Sequence, residues 1–89
     1  MNRLGKHRNG QVVGLRETTK RLHQNRVQVL YVAVDAEARL IAPLVELAAS
    51  RGCEIVQVPS MAELGRAVGI EVGAACAALI KEGSTSADD

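Results

Sequence analysis

Aromatic side chains are almost absent from this 89-residue sequence, which contains one Tyr, no Phe and no Trp. Its hydrophobic core must therefore be built from aliphatic side chains. The same absence excludes the domains that stack unpaired bases on exposed aromatic rings, because this chain has almost no rings to offer. Hydrophobic residues make up 47% of the chain and charged residues 24%, which is typical of a folded globular domain.

Long hydrophobic runs are missing as well, and cysteine is scarce. The apolar runs are only as long as a β-strand, so we expect no transmembrane helix and no contact with a membrane. No apolar segment follows the basic N-terminus, so we expect no secretory signal peptide. Two cysteines without such a signal indicate a reduced, cytoplasmic protein.

Residue types that form metal or catalytic sites do not occur in suitable patterns. The spacing of the Cys and His residues matches no zinc site, and both Cys53 and Cys76 lie in apolar segments typical of inert buried thiols. No arrangement of Ser, His and carboxylates indicates catalysis. We therefore expect no enzyme activity, no metal, no cofactor and no small-molecule substrate.

Charge is distributed unevenly along the chain, although the net charge is only +1. Residues 1–29 carry a net charge of +6, with Glu17 as the single acidic residue, and residues 30–89 carry −5. This asymmetry indicates that the N-terminal third faces a polyanion. A basic, solvent-exposed helix face is the alternative, and charge alone does not distinguish the two.

The hydrophobic pattern predicts alternating strands and helices. Strands are expected at residues 11–13, 27–34, 53–58 and 74–80, helices at 15–24, 37–50 and from Ser60 to about 65–69, and a short helix or ordered arm at 1–10. The β-branched run 27–34 is expected to be a central strand buried on both faces. This order predicts an α/β fold in which helices cover both faces of a mixed or parallel sheet. We expect one domain over residues 1–81 and a flexible polar tail over 82–89.

Local signals indicate where the second and third helices begin and end. Asp35 is expected to cap the second helix, and Ser60 with Glu63 forms a capping box for the third. Pro43 should kink the second helix or delay its start. The predicted core stripe of that helix contains Leu40, Ile41, Leu44, Leu47 and Ala48.

Three glycines, Gly65, Gly69 and Gly73, are spaced by four residues. This spacing matches neither a dinucleotide-binding fingerprint nor a phosphate-binding loop. It predicts that the third helix ends here and is followed by a tight turn, with a loop at residues 70–73.

The first helix is the most informative segment. It follows Gly14 directly, and the free backbone N–H groups and positive dipole end of such a helix suit a phosphate. Arg16 and Lys20 lie one turn apart beside that end, and Arg matches the O6 and N7 acceptors of guanine. Glu17 either accepts hydrogen bonds from base amino groups or complements the helix dipole. The segment therefore predicts a nucleic-acid contact, with an ordinary charged face as the alternative.

Three segments resemble, in order and spacing, the signatures of the kink-turn-binding ribosomal protein family, the L7Ae/L30e superfamily. They are GLRETTK (residues 14–20), VAVDAEARLI (32–41) and VPSMAELGRAVGIEVGAA (58–75), and they are most similar to the short bacterial members. The resemblance spans residues 11–80. It implies a three-layer α-β-α sandwich on a four-stranded mixed sheet.

The resemblance also implies a function. Members of this family bind kink-turns, which are sharp RNA bends built on tandem sheared G·A pairs with one nucleotide outside the stack. We therefore expect a non-catalytic, ribosome-associated monomer whose partner is kink-turn RNA. The RNA-binding residues implied are Gly14, Leu15, Arg16, Glu17, Lys20, Arg21, Glu37, Ile41, Ile70, Glu71, Val72 and Gly73.

The resemblance assigns these residues to three groups. Those of the first helix approach the RNA backbone and the G·A edges. Glu37 and Ile41 match positions near the extruded nucleotide, and residues 70–73 match the loop that covers it. Met61 and Val72 stand where some relatives have cations, and Gly73 replaces a loop Pro. A protein-interaction module on the same scaffold is the alternative function.

Overall fold

Short alternating apolar segments build a four-stranded sheet at the centre of the protein. The computed structural model describes residues 10–81. The strands are β1 (Gln11–Val13), β2 (Val27–Ala33), β3 (Glu54–Val58) and β4 (Cys76–Ile80), and the helices are α1 (Leu15–His23), α2 (Ala38–Ser50) and α3 (Met61–Val68). The predicted arm before residue 10 and the predicted tail 82–89 lie outside the described residues.

The strand order is β1-β4-β2-β3, with β2 parallel to β3 and β4 antiparallel to both of its neighbours. The predicted mixed sheet with β2 at its centre is therefore confirmed. Strands β1, β2 and β3 end, and β4 begins, at a single edge of the sheet. We call this the upper edge; it contains Val13, Ala33, Val58 and Cys76. All three helices begin at the upper edge because each follows a strand that ends there.

Side chains of β2 alternate between two hydrophobic clusters, one on each face of the sheet. Val29 and Tyr31 belong to the cluster that includes residues of α3. Leu30 and Val32 belong to the cluster that includes residues of α1 and α2. The sheet is therefore covered by α1 and α2 on one face and by α3 on the other, which confirms the predicted three-layer sandwich. Among residues 10–81 no helix has the length and apolar character needed to cross a membrane.

Helix α2 differs from the sequence prediction at its start. Its N-cap is Glu37, whose side chain makes no capping hydrogen bond, and Asp35 does not cap it. Pro43 lies inside the helix, which continues from Ala38 to Ser50 without interruption. Leu40 is 48% exposed and is not part of the core, contrary to the prediction. The reason is geometric, since Ile41, Leu44 and Ala48 already define the buried stripe and Leu40 is rotated about 100° away from Ile41.

Helix α3 is capped twice at its start. The hydroxyl of Ser60 accepts a hydrogen bond from the Glu63 amide, 3.1 Å, as predicted. The carboxylate of Asp35 accepts another from the Met61 amide, 2.8 Å. The helix ends at Val68, within the predicted range 65–69, and is closed by Gly69, whose φ of 89° lies in the left-handed region that glycine tolerates.

Candidate nucleic-acid interface

The starts of three helices meet at the upper edge, so the positive ends of three helix dipoles point in one direction. The three helices differ in whether a side chain accepts a hydrogen bond from their first backbone amides. Those of α3 bind Ser60 and Asp35. Gly14, the N-cap of α1, has no side chain, and Glu37 does not cap α2. The starts of α1 and α2 therefore suit an anion better than the start of α3 does.

Helix α1 carries a cationic stripe on its solvent face. Arg16, Lys20 and His23 are exposed, whereas Thr18 and Leu22 on the opposite face are buried. The orientation agrees with the spacing in the sequence. Within residues 10–81, Arg16 and Lys20 form no ion pair, so both are available to an external anion.

The other predicted residues of α1 are partly engaged within the protein. Arg21 Nη2 lies 3.7 Å from Glu17 Oε1, and Arg21 Nη1 donates to Gln24 Oε1 at 3.4 Å. Both charged side chains of this pair are partly exposed, so the pair contributes little to stability. Leu15 is half-buried and packs against the cluster below α1 and α2.

Backbone hydrogen bonds join the start of α1 to the segment that precedes β4. The amide of Gly14 donates to the carbonyl of Cys76, 3.0 Å, and the amide of Ala33 donates to the carbonyl of Ala75, also 3.0 Å. The turn at Gly14, the end of β2 and the entry to β4 are therefore neighbours. The structure brings α1 and the segment after α3 together at one edge.

The 70–73 loop lies along helix α3. The Ile70 amide donates to the Gly65 carbonyl and the Ala74 amide donates to the Met61 carbonyl, each at 3.0 Å. Both ends of the loop are thus bound to α3, one helical turn apart. Glu71 and Gly73 are also exposed, and the loop presents large aliphatic side chains to solvent, with Ile70 37% and Val72 70% exposed.

The two predicted residues of α2 differ in accessibility. Glu37 is exposed and its carboxylate accepts a hydrogen bond from Arg39 Nε, 3.0 Å. Ile41 is only 8% exposed and belongs to the core cluster with Leu44. The carboxylate of Glu37 is therefore accessible to a ligand, whereas the Ile41 side chain packs in the core beneath the start of α2.

Two further aliphatic side chains are exposed near the upper edge and were missed in the sequence. Val34, predicted as part of the buried central strand, follows β2 and is 61% exposed. Leu40, predicted as core, lies in the first turn of α2. With Ile70 and Val72, these are the large exposed hydrophobic residues of the described part of the chain. Two features of the sequence could have revealed this exposure. Val34 is the last residue of the apolar run 27–34, and Leu40 lies off the 3.6-residue stripe formed by Ile41, Leu44 and Ala48.

The two cysteines lie at opposite ends of the sheet. Cys76 is fully buried below the Gly14 turn, and burial raises the pKa of its thiol although the Thr18 hydroxyl and the Gly14 amide oppose the shift. Cys53 precedes β3 and is half-buried, not buried as predicted; its thiol donates to the Val27 carbonyl, 3.3 Å, and burial raises its pKa too. Across residues 10–81 no group of His, Cys, Asp and Glu could hold a metal ion.

A protein-family model matches residues 2–88, which is almost the entire chain. It describes the ribosomal protein L7Ae/L30e/S12e/Gadd45 family. The chain belongs to this family. The resemblance seen in three segments of the sequence is thereby confirmed.

Other members of the L7Ae family are similar to this chain over most of its length. An RNA-binding protein from Bacillus pumilus is 42% identical over 69 residues, which are 78% of this chain and 84% of that protein. Large ribosomal subunit protein eL8 from Halobacterium salinarum is 41% identical over 71 residues, which are 79% of this chain but only 59% of that protein. The names of these two relatives describe RNA binding and the ribosome.

Solved structures support the L7Ae-family fold. The Giardia lamblia 15.5kD RNA binding protein superposes with a TM-score of 0.78 at 21% identity, covering 89% of this chain and 67% of that one. A protein of unknown function from Bacillus halodurans superposes with a TM-score of 0.74 at 18% identity, covering 89% and 79%. At these identities the likeness concerns the fold.

Proposed function

We propose that this chain is a non-catalytic RNA-binding protein that recognises and stabilises kink-turn RNA and is associated with the ribosome. The observation that carries the proposal is that the start of α1, with its exposed cationic face, and the end of the aliphatic 70–73 loop lie at the same upper edge of the sheet. Membership in the family and the names of the relatives support the same class of ligand. The protein acts as a monomeric domain without a cofactor.

Helix α1 supplies the contacts to base edges and phosphates. Gly14 lets the RNA backbone approach closely because no side chain projects there. Arg16 and Lys20 donate to guanine acceptors in the major groove, which is opened at the kink. Each such contact is worth about 1–3 kcal/mol of discrimination.

Glu17 is the acidic residue of the α1 surface, and it recognises guanine. Its carboxylate accepts hydrogen bonds from guanine amino and imino groups, which are donors, so a negative charge is tolerated beside the phosphates. In the free protein Glu17 lies 3.7 Å from Arg21. Because that pair is exposed and weak, opening it on binding loses little free energy.

The nucleotide outside the stack is covered by aliphatic side chains instead of an aromatic ring. Ile70 and Val72 supply the cover, with Glu71 and Gly73 in the same loop. Glu37 lies at the start of α2 on the same edge, and Ile41 supports it from the core. RNA recognition without aromatic residues thus depends on shape, groove edges and apolar contact.

Binding acts on the RNA conformation. Because the contacts at α1 and at the 70–73 loop can form together only on a bent RNA, the bent conformer binds more tightly than the extended one. The protein therefore shifts the population toward the kinked form by differential affinity.

The test is a fluorescence titration of a labelled kink-turn RNA against a copy in which Watson–Crick pairs replace the G·A pairs. We expect tight binding to the first and weak binding to the second at the same salt concentration. Equal affinity for both would reduce the proposal to general attraction for a polyanion.

One observation favours the alternative, a protein-interaction module. Val34 and Leu40 are exposed, and the resemblance assigns no RNA contact to either. A partner protein with an apolar patch would bury them. Affinity capture before and after nuclease treatment distinguishes the two functions, since a partner held through RNA is released and a directly bound partner is retained.

A further inference from the structure

Helix α3 contains a glycine near its middle, where glycine is unfavourable. Gly65 is buried within Met61–Val68 and has no left-handed φ that would require glycine. In a helix interior glycine is about 1 kcal/mol less favourable than alanine. Its backbone conformation does not explain the glycine, so its surroundings must.

Gly65 is in direct contact with the backbone of the 70–73 loop. A Cβ placed on Gly65 would overlap the carbonyl oxygen of Val72, and it would lie 3.1 Å from the carbonyl carbon of Val72 and 3.2 Å from the Cα of Gly73. All three atoms belong to the main chain. The missing side chain therefore allows the loop backbone to lie directly on the helix.

Hydrogen bonds hold the loop against α3 on both sides of this contact. The Gly65 carbonyl accepts from the Ile70 amide, and the Met61 carbonyl accepts from the Ala74 amide. Gly73 also packs closely, since a Cβ there would lie 3.1 Å from the Met61 Cβ. The three-glycine spacing thus has a physical basis: Gly65 and Gly73 allow close approach, and Gly69 closes the helix.

We infer that Gly65 is a positioning residue for RNA recognition: it sets how close the 70–73 loop lies to α3 and so where the loop covers the unpaired nucleotide. The inference rests on the proposed function. A methyl group at residue 65 forces the Val72 peptide outward by on the order of an ångström to restore an ordinary contact. The exposed Val72 side chain then moves away from its place beside α3.

The test compares Gly65→Ala with wild type on two RNAs, a kink-turn with its unpaired base and the same RNA with that nucleotide abasic. We expect Gly65→Ala to bind the intact RNA about tenfold more weakly, the loss expected when one aliphatic side chain no longer buries against a base. Its affinity for the abasic RNA should equal that of wild type. If Gly65→Ala lost affinity equally for both RNAs, the role would be merely structural and the inference wrong.

Ala62→Gly is the matched control. Ala62 is exposed on the same helix, and glycine there weakens α3 without adding any atom that could displace the loop. This variant should keep the full difference between the two RNAs. Thermal unfolding of each variant shows that the protein is folded.

Gly73→Ala keeps the test decisive if Gly65→Ala does not fold. Its Cβ would lie 3.1 Å from the Met61 Cβ and 3.4 Å from the Met61 carbonyl group, a looser contact than the overlap at Gly65, so we expect a smaller loss confined to the intact RNA. An equal loss on both RNAs would overturn the inference. Failure of the proposed function looks different, because wild type would then not distinguish the kink-turn from the Watson–Crick duplex.

Discussion

The carboxylate of Asp35 accepts a hydrogen bond of 2.8 Å from the backbone amide of Met61. Asp35, the second residue after the central strand, therefore caps α3, which lies on the opposite face of the sheet from α2. Met61 in turn accepts from Ala74 through its carbonyl. The β2–α2 loop, the start of α3 and the entry to β4 are joined through this one residue, which holds the upper edge together.

Replacing Asp35 should weaken the fold through α3. We expect Asp35→Ala to lower the free energy of unfolding by about 1 kcal/mol, as is typical for loss of a helix cap, and Asp35→Asn to lower it less because the amide oxygen still accepts. Urea unfolding measures both. A change smaller in Asp35→Ala than in Asp35→Asn would contradict this assignment.

Arg16 and Lys20 should matter for RNA and not for stability. Both are exposed and unpaired within residues 10–81, so Arg16→Ala and Lys20→Ala should change the free energy of unfolding by less than about 0.5 kcal/mol. Each should weaken kink-turn binding by about 1–3 kcal/mol. Isothermal titration calorimetry with thermal unfolding measures the two effects.

Arg51→Ala is the matched control for those two variants. Arg51 follows α2 at the edge opposite to the upper edge, where its Nη1 donates to Asn25 Oδ1 at 2.8 Å. The variant loses the same unit charge but should bind kink-turn RNA as wild type does. If all three variants weakened binding equally, net charge and not the α1 surface would control affinity.

Gly14→Ala should destabilise the protein through backbone strain alone. The φ of Gly14 is 98°, and no atom lies within 4 Å of the place where a Cβ would be. We therefore expect a loss of about 1–3 kcal/mol in the free energy of unfolding. Urea unfolding is the measurement, and a variant as stable as wild type would show that the turn relaxes without strain.

Leu40 and Leu44 form a matched pair on neighbouring turns of α2. Leu44 is 4% exposed and Leu40 is 48% exposed. Leu44→Ala should lower the free energy of unfolding by about 2–5 kcal/mol, whereas Leu40→Ala should lower it far less. Similar losses in both variants would mean that Leu40 is buried in solution, for example by a partner protein or a second copy of the chain.

The buried thiol of Cys76 should make stability fall at alkaline pH. Burial raises the pKa of this thiol above its ordinary value of 9.0. The folded state therefore keeps the proton where the unfolded state releases it, so this contribution is complete below pH 9.0 and is lost as the pH rises through the folded-state pKa. Urea unfolding across this range measures the effect, and Cys76→Ala should reduce the slope. An unchanged slope in that variant would assign the effect to other groups.

The sequence predicted the elements whose signals are local. The β-branched apolar run of β2 and the three- and four-residue spacing on α1 depend only on neighbouring residues, so the central strand and the exposed Arg16–Lys20 face were predicted correctly. The Ser60 cap was predicted for the same reason. The three segments shared with the L7Ae family then indicated the layers of the fold. The assignment of individual residues to RNA contacts stays a prediction.

Other features depended on contacts between distant parts of the chain. Asp35 was assigned to the wrong helix because its partner, Met61, is 26 residues away. The role of Gly65 was not predicted, because its contact with Val72 is invisible in the sequence. Leu40 was predicted as core because hydrophobicity does not reveal which side of a helix lacks a neighbour.

By itself the sequence determined an aliphatic α/β sandwich with a basic first helix, because side-chain periodicity and charge are properties of the chain. Only the tertiary structure decided that this helix and the 70–73 loop share one edge. The physical reason is the mixed sheet: with β4 antiparallel between β1 and β2, the start of β4 lies beside the end of β1, and the Gly14 amide binds the Cys76 carbonyl.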